Sequence, residues 1–345
     1  GHFAGNAVTT GVKNVLLGNN AGDSLTDADQ NVVVGYEALA TDTLGSKGTA
    51  IGTQALKSQN FSSATDHYNT GVGFRAGFSV TTGIQNTIMG SLAGVGLTDA
   101  DYNVAFGYGA LNNDQLGSKT VAIGTEALQQ QVFDSATDSH NTAVGYNAGK
   151  QVTTGVQNTF IGSLAGDANT IGRENVALGY NALGANVSGD RTVAIGFGAL
   201  AAQNNGTSTF DSNNVAVGYN AAVGITTGTR NVAVGADALG SADDDGRNIA
   251  IGYAALNAMN TGNSTPYNIA IGYNSGASVT TGTFNTFVGG LAGDASDDGS
   301  SNTAVGYAAL SANAGSNNTA LGSLALQATT GTHNTGLGKQ AGLSI

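Results

Sequence analysis

The chain has 345 residues, 54 of them Gly and one Pro, with no Cys, no Trp, and 11 basic against 23 acidic side chains. Glycine at this level without a Gly-X-Y period excludes collagen, and 40% hydrophobic residues exclude a disordered chain. A net charge of −12 argues against nucleic acid and anionic membrane surfaces, no run approaches the roughly 18 apolar residues of a membrane-spanning helix, and without Cys neither disulfides nor thiolate metal sites can form. The chain opens on Gly1 without Met or a leader-like segment and closes on a further repeat at Gln340 to Gly342, which reads as an excerpt continued by other segments.

From the first residues onward one pattern recurs: Asn, a β-branched residue, a small residue, an aliphatic, Gly, two variable positions, Ala, then Gly or Leu. It reads NVVVGYEAL at Asn31 to Leu39, NTAVGYNAG at Asn141 to Gly149, NIAIGYAAL at Asn248 to Leu256 and NTAVGYAAL at Asn302 to Leu310. Most repeat glycines are 17 residues apart, but the spacing is 21 after Gly52, 21 after Gly124, 22 after Gly196 and 20 after Gly252. A four-unit period is thus laid over the short one, giving blocks 1–72, 73–144, 145–217, 218–271 and 272–345 within a single repetitive domain, 1–345. The residue after the repeat's Ala follows the same order, reading Gly5, Gly22, Leu39, Leu56, then Gly77, Gly94, Leu111, Leu128, then Gly149, Gly166, Leu183, Leu200.

A 17-residue period is too short for helical hairpins or propeller blades, which need about 33 to 50 residues. It fits one coil of an all-β parallel β-solenoid, here of about 20 coils; at about 4.8 Å per coil these make a rod of roughly 90–95 Å. Three residues before the Gly every complete unit carries Val, Ile or Thr, and one residue before it an aliphatic, Met or Phe. Alternation puts these two columns on one face, expected to be the coil interior, and the mostly Ala middle column on the other. Since neither face is polar, the outer one is expected to be covered by another chain or another layer, against the alternative that its Ala and Gly positions face water. The Asn before the strand, present in 16 of 19 units, is expected to adopt left-handed backbone and to stack as a hydrogen-bonded ladder. The Ala two residues before the next variable stretch is expected to fit a tight interior bend.

The strings NVAVG (Asn214 to Gly218) and NIAIG (Asn248 to Gly252) resemble the head repeats of trimeric autotransporter adhesins and the NTAVGYNAL-type repeats of bacteriophage tail fibres, over essentially the whole chain. The resemblance implies a left-handed β-roll, a homotrimer, and a place on a virion or outside a cell. The 17-residue period and the insertion in every fourth coil look closer to the tail-fibre group. No coiled-coil stalk or C-terminal chaperone domain is recognisable, so both settings stay open.

Catalytic chemistry has little to draw on. There is no GxSxG elbow or phosphate loop, the Gly-x-Gly strings follow the repeat, and His67 and His140 lie about four coils, roughly 19 Å, apart, too far to share a metal. No enzyme activity, metal or cofactor is expected. The acidic corners Asp27 and Asp29, Asp99 and Asp101, Asp243 to Asp245, and Asp297 and Asp298 read as solvated turns rather than calcium loops, whose full ligand spacing is absent.

The four extended units are the functional lead: Lys57 to Asn69, Gln129 to Asn141, Ala201 to Asn214 and Asn257 to Asn268. Each carries an aromatic that looks exposed among Asn, Asp, Ser and His, a composition suited to a glycan or protein receptor. Phe61, His67, Tyr68, Phe133, His140, Phe210 and Tyr267 are the candidate contact residues, against the alternative that the aromatics cap neighbouring coils. A second aromatic column directly after the Gly, from Tyr36 to Tyr307, is regular enough to favour packing between coils or chains. The expected function is a structural fibre or adhesin shaft, partnered by copies of itself, adjoining appendage segments and a surface receptor, without nucleic acid or membrane insertion. An ice-binding solenoid and a polysaccharide-cleaving β-helix are the less favoured alternatives.

Overall fold

A computed structural model describes residues 1–204, 206, 210–262 and 265–343. The chain is an all-β parallel β-solenoid with a period of about 17 residues, and among the described residues all regular structure is strand. Two compact units are formed, Gly1–Arg173 and Glu174–Ile345.

In the first unit nine three-residue strands make one parallel ladder, beginning Val15–Leu17, Val32–Val34, Thr49–Ile51 and ending at Thr159–Ile161. In the second unit ten such strands run from Val176–Leu178 to Thr335–Leu337. Register never slips: Val15 faces Val32, and across the longer spacings Thr49 still faces Thr70, Val193 faces Val215 and Ile249 faces Ile269. Extra residues are therefore set aside beside the ladder. They are flanked by short parallel pairs, Gly45–Ser46 with Thr65–Asp66, Gly117–Ser118 with Thr137–Asp138, and Gly189–Asp190 with Phe210–Asp211.

The repeat Gly closes each strand at a corner where neighbouring coils touch through backbone. At Gly35 φ is 138°, and an added Cβ would stand 2.4 Å from the carbonyl oxygen of Gly52. No other residue fits that contact.

The Asn column forms the expected ladder. Asn86 Oδ1 accepts the N–H of Asn103 (3.0 Å), while Asn103 Nδ2 donates to the Gly117 carbonyl (2.9 Å), and Asn231 and Asn248 repeat the link at 3.0 Å in the second unit. These side chains are buried, so each bond satisfies a backbone donor that water cannot reach. Left-handed backbone, however, falls on the preceding residue rather than on Asn: Gln30, Tyr68, Gln85 and Arg247 all have φ between 53° and 62°.

The expected faces of the strand are reversed. The small middle column points inward, with Val33, Ala50, Ala122, Ala194 and Ala250 fully buried, while Leu17, Phe106, Leu178 and Leu321 of the aliphatic column are exposed. The cause is the narrow bore of a 17-residue coil. Across it the strand meets the repeat's Ala and the following Gly or Leu, and interior volume is shared among these three positions. Where that last residue is Leu, as at Leu56, Leu128 and Leu256, the strand of the same coil contributes Ala50, Ala122 and Ala250, all buried. Where it is Gly, a large side chain can enter: the Phe160 ring lies where a Cβ on Gly149 or Gly166 would be 2.8 or 2.5 Å away, and Phe287 occupies the same space beside Gly293. The paired glycines of the other blocks are therefore the complement of one large strand residue each, Leu16, Ile88, Phe160 and Phe287, while the shortened fourth block, with Ala222, Leu239 and Leu256, has none.

This packing sets opposite tolerances at adjacent residues. Ala250→Leu, buried, should lower stability by about 1–3 kcal/mol through overpacking, whereas Ile251→Thr, on the outer face, should change the unfolding of the isolated chain by less than about 0.5 kcal/mol; chemical denaturation of the two variants checks both.

Candidate functional site

The extended coils place their candidate residues in two classes, buried and outward. In the first unit Phe61 and Phe133 are only 6% exposed and pack over Gly45 and Gly117, where a Cβ would stand 2.9 and 2.8 Å from the respective rings. The expectation that both are exposed fails, because the inserted loop folds back over the coil and uses its aromatic as a lid. His67 is fully buried, stacked against Phe61 with centroids 5.5 Å apart and planes 14° from parallel.

The role of His67 follows from the ladder. Gly48 stands where an Asn would otherwise offer Oδ1 to the next coil, leaving the Asn69 N–H without its usual acceptor. His67 Nδ1 takes that bond at 3.0 Å, and the Gln59 side-chain amide lies 2.9 Å from Nε2 while donating to buried Asp42 at 2.7 Å. Gly48 is required by the ring, since a Cβ there would meet His67 Cε1 at 2.3 Å. One block later Thr120 replaces Gly48 and Ser139 replaces His67: their hydroxyls are 2.5 Å apart, and Ser139 Oγ accepts from the Asn141 N–H at 3.3 Å. His67 thus corresponds to Ser139, and His140 to Tyr68. The signal in the sequence was the joint change of Gly48 with His67 to Thr120 with Ser139, which separate columns do not reveal.

Burial holds the His67 imidazole down from its usual 6.5 to about 4, against the opposing pull of Asp42 and Asp66. Desolvation likewise raises buried Asp114, the counterpart of Asp42 one block later, against hydrogen bonds from Gln131 and the Gly117, Gln115 and Leu116 backbone.

Tyr68, His140, Phe210 and Tyr267 point outward. Lys47 Nζ lies 5.3 Å from the Tyr68 ring and pairs with Asp66 at 2.5 Å; Lys119 pairs with Asp138 beside His140. In the second unit Phe210 lies in an edge strand, with Arg191 bonded to Asp211 at 2.7 Å, and Tyr267 stacks on Phe284 at 5.7 Å with the Arg247 guanidinium 5.5 Å from its ring. Parts of the last two extended coils, residues 205, 207–209, 263 and 264, lie outside the described residues. The first unit also has an open groove of about 520 Å³ lined by Val95, Gly96, Asn112, Asn113, Gln130 and Val132, where Asn112 donates to the Leu92 carbonyl and Asn113 to the Gln130 side chain, both at 2.9 Å.

The aromatic column after the Gly is half-exposed and stacks wherever successive coils both carry a ring: Tyr180, Phe197 and Tyr219 at 5.3 and 5.4 Å, and Tyr253 with Tyr273 at 5.5 Å. The acidic corners are used between coils. Asp27 accepts from the Thr10 hydroxyl and Asp99 from Thr82, both at 2.5 Å, and Asp29 and Asp101 accept the N–H groups of Val12 and Ile84 at 2.7 Å. Among the described residues no three His, Asp or Glu side chains converge as a metal site.

No protein-family model matches the chain, and no curated protein matches it.

Two measurements follow from the His67 cluster. Between about pH 6.5 and about 4 the unfolded chain takes up a proton that the folded chain refuses, so stability contributed at this site falls as pH drops through that window and levels off below it; denaturant midpoints across the range check this. The double substitution Gly48→Thr with His67→Ser copies the Thr120 and Ser139 pair and should fold without that acid sensitivity, whereas Gly48→Thr alone should destabilise by several kcal/mol through the clash, as thermal melts will show.

Proposed function

We propose that the chain is a shaft segment of a phage tail fibre or bacterial surface appendage, displayed on a virion or outside a cell, in which copies associate side by side and the extended coils meet a surface receptor. The observation that carries this reading is the apolar column before the repeat Gly on the outer face of each ladder, beside a second column of Val, Ile or Thr. In the second unit Val215, Val232 and Ile249 stand beside Val217, Val234 and Ile251, all at least partly exposed and all apolar. A soluble surface normally interrupts such a strip with charge. Backbone groups of the sheet are already bonded coil to coil, so association here would be through side chains and would leave the solenoid intact. Three copies, the number implied by the family resemblance, let each strip face the others around a shared axis. Function then lies in stiffness and binding rather than catalysis, and the outward Tyr68, His140, Phe210 and Tyr267 are the contacts offered to a glycan or protein receptor.

Native mass spectrometry of the purified chain should give three copies; a persistent monomer at micromolar concentration overturns the shaft. The pair Val234→Lys and Ile251→Lys should leave the fold of each chain in place and weaken association by about 100-fold or more, since buried ammonium groups would have to be desolvated.

One observation favours a second reading. Thr286, Thr303, Thr319 and Thr335 stand on successive coils of the outer face at strand spacing, the regular hydroxyl array that an ice-binding surface uses. Both readings occupy the same face, so a monomer that inhibits ice recrystallisation supports the second and an inert trimer the first.

A further inference from the structure

The corner residue just before the Asn ladder forms a column that the repeat pattern conceals. In every coil it is left-handed, from Lys13 (φ 61°) to His333 (φ 62°), and always exposed. Gly would relax this backbone and Asn would tolerate it. Yet in a chain with 54 Gly none stands here, and Asn appears only at Asn213 and Asn317. Instead the column holds Lys, Arg, Gln, Tyr, Phe, His, Glu and Ser, including six of the 11 basic residues: Lys13, Lys47, Lys119, Arg191, Arg230 and Arg247. The backbone N–H groups of these corners are already spent, Arg230 on the Ser212 carbonyl and Arg247 on that of Thr229, both at 2.8 Å, so what the column displays is side chains.

Four successive coils of the second unit differ from the rest. Lys47, Lys119 and Arg191 each have a carboxylate partner; among the described residues Lys13, in the first coil of the column, has none, and neither do Arg230 and Arg247. They stand on neighbouring coils, at about 4.8 Å strand spacing. The next two corners carry Tyr267 and Phe284, stacked and about half exposed, with the Arg247 guanidinium against the Tyr267 ring. Two adjacent like charges on strained backbone, in a protein of net charge −12, repel one another and gain nothing that Asn would not supply at the same corner.

We propose that Arg230, Arg247, Tyr267 and Phe284 form a binding ridge for an acidic polysaccharide lying along the coil corners. The planar guanidiniums match carboxylate or sulfate groups with paired hydrogen bonds, and the ring pair offers an apolar surface to the C–H face of a pyranose. Acidic sugar polymers present these two features in alternation. This assignment rests on the reading of the chain as a receptor-binding appendage and names the chemistry of one receptor.

The full chain is assayed by affinity electrophoresis through polygalacturonate, hyaluronan and dextran sulfate, with neutral dextran and an oligo-dT strand as comparisons. At least one acidic polysaccharide should retard the chain, with retention falling as salt rises. Arg230→Asn with Arg247→Asn, and separately Tyr267→Asn with Phe284→Asn, should each weaken retention about tenfold or more, equivalent to about 1.4 kcal/mol. Asn already occupies this corner in the chain, so thermal midpoints should hold. Should the Asn variants unfold, Arg230→Gln with Arg247→Gln serves, since Gln30, Gln85 and Gln157 occupy the same corner. The ridge is overturned if none of the three acidic polymers retards the chain, if neutral dextran does so equally, if oligo-dT binds more tightly than all three, or if both Asn pairs leave retention unchanged. Native mass spectrometry of the same samples separates this from the shaft: an associated chain that binds no polymer loses the ridge alone, and a monomer that binds loses the shaft alone.

Discussion

Each coil must lie directly on the next, backbone to backbone, and this single constraint governs the molecule. At the repeat Gly the neighbouring carbonyl oxygen stands 2.4 Å from where the Gly35 Cβ would be, so the contact admits no side chain and fixes the spacing of coils at that edge. Strand pairing then proceeds without slip through every insertion, as the Thr49 to Thr70 and Val193 to Val215 pairs show. A residue too many cannot be absorbed by stretching a coil. It is expelled into a loop, which is why the places where the chain can carry binding residues are confined to insertions and outward corners.

The interior obeys the same economy of space. The Asn ladder is interrupted at Gly48, Thr120 and Thr192, each ahead of an insertion, while Asn248 carries it across the fourth, and at the first two breaks the loop supplies a substitute acceptor. His67 provides it in the first block and Ser139 in the second, each matched to the residue opposite, Gly48 or Thr120. A lone buried histidine in a repetitive protein invites a catalytic or metal-binding interpretation. Here its nitrogen closes a gap in a structural hydrogen-bond ladder, and burial keeps it uncharged to about pH 4.

The outer surface is where structure and proposed function meet. Because the bore accepts only small residues from the strand, the β-branched and aliphatic columns are turned outward, and an apolar strip runs along each unit. The left-handed corner beside it projects large polar and aromatic side chains away from the coil. One surface is thus suited to another chain and the other to a ligand, and both arise from a single repeat.

The sequence by itself determined the solenoid, its period, the parallel stacking and the Asn ladder, because each depends on a residue type recurring at fixed spacing. It also showed which coils are enlarged. Only the tertiary structure decided which face of the strand is inside, since alternation separates Val32 and Val34 from Val33 but does not say which of them meets the narrow bore. It likewise decided that Phe61, His67 and Phe133 are interior while Tyr68, His140, Phe210 and Tyr267 are not. Those residues share composition and neighbours in the sequence; what separates them is whether a gap in the ladder or a glycine across the coil leaves room for a ring, and that is a property of two coils at once.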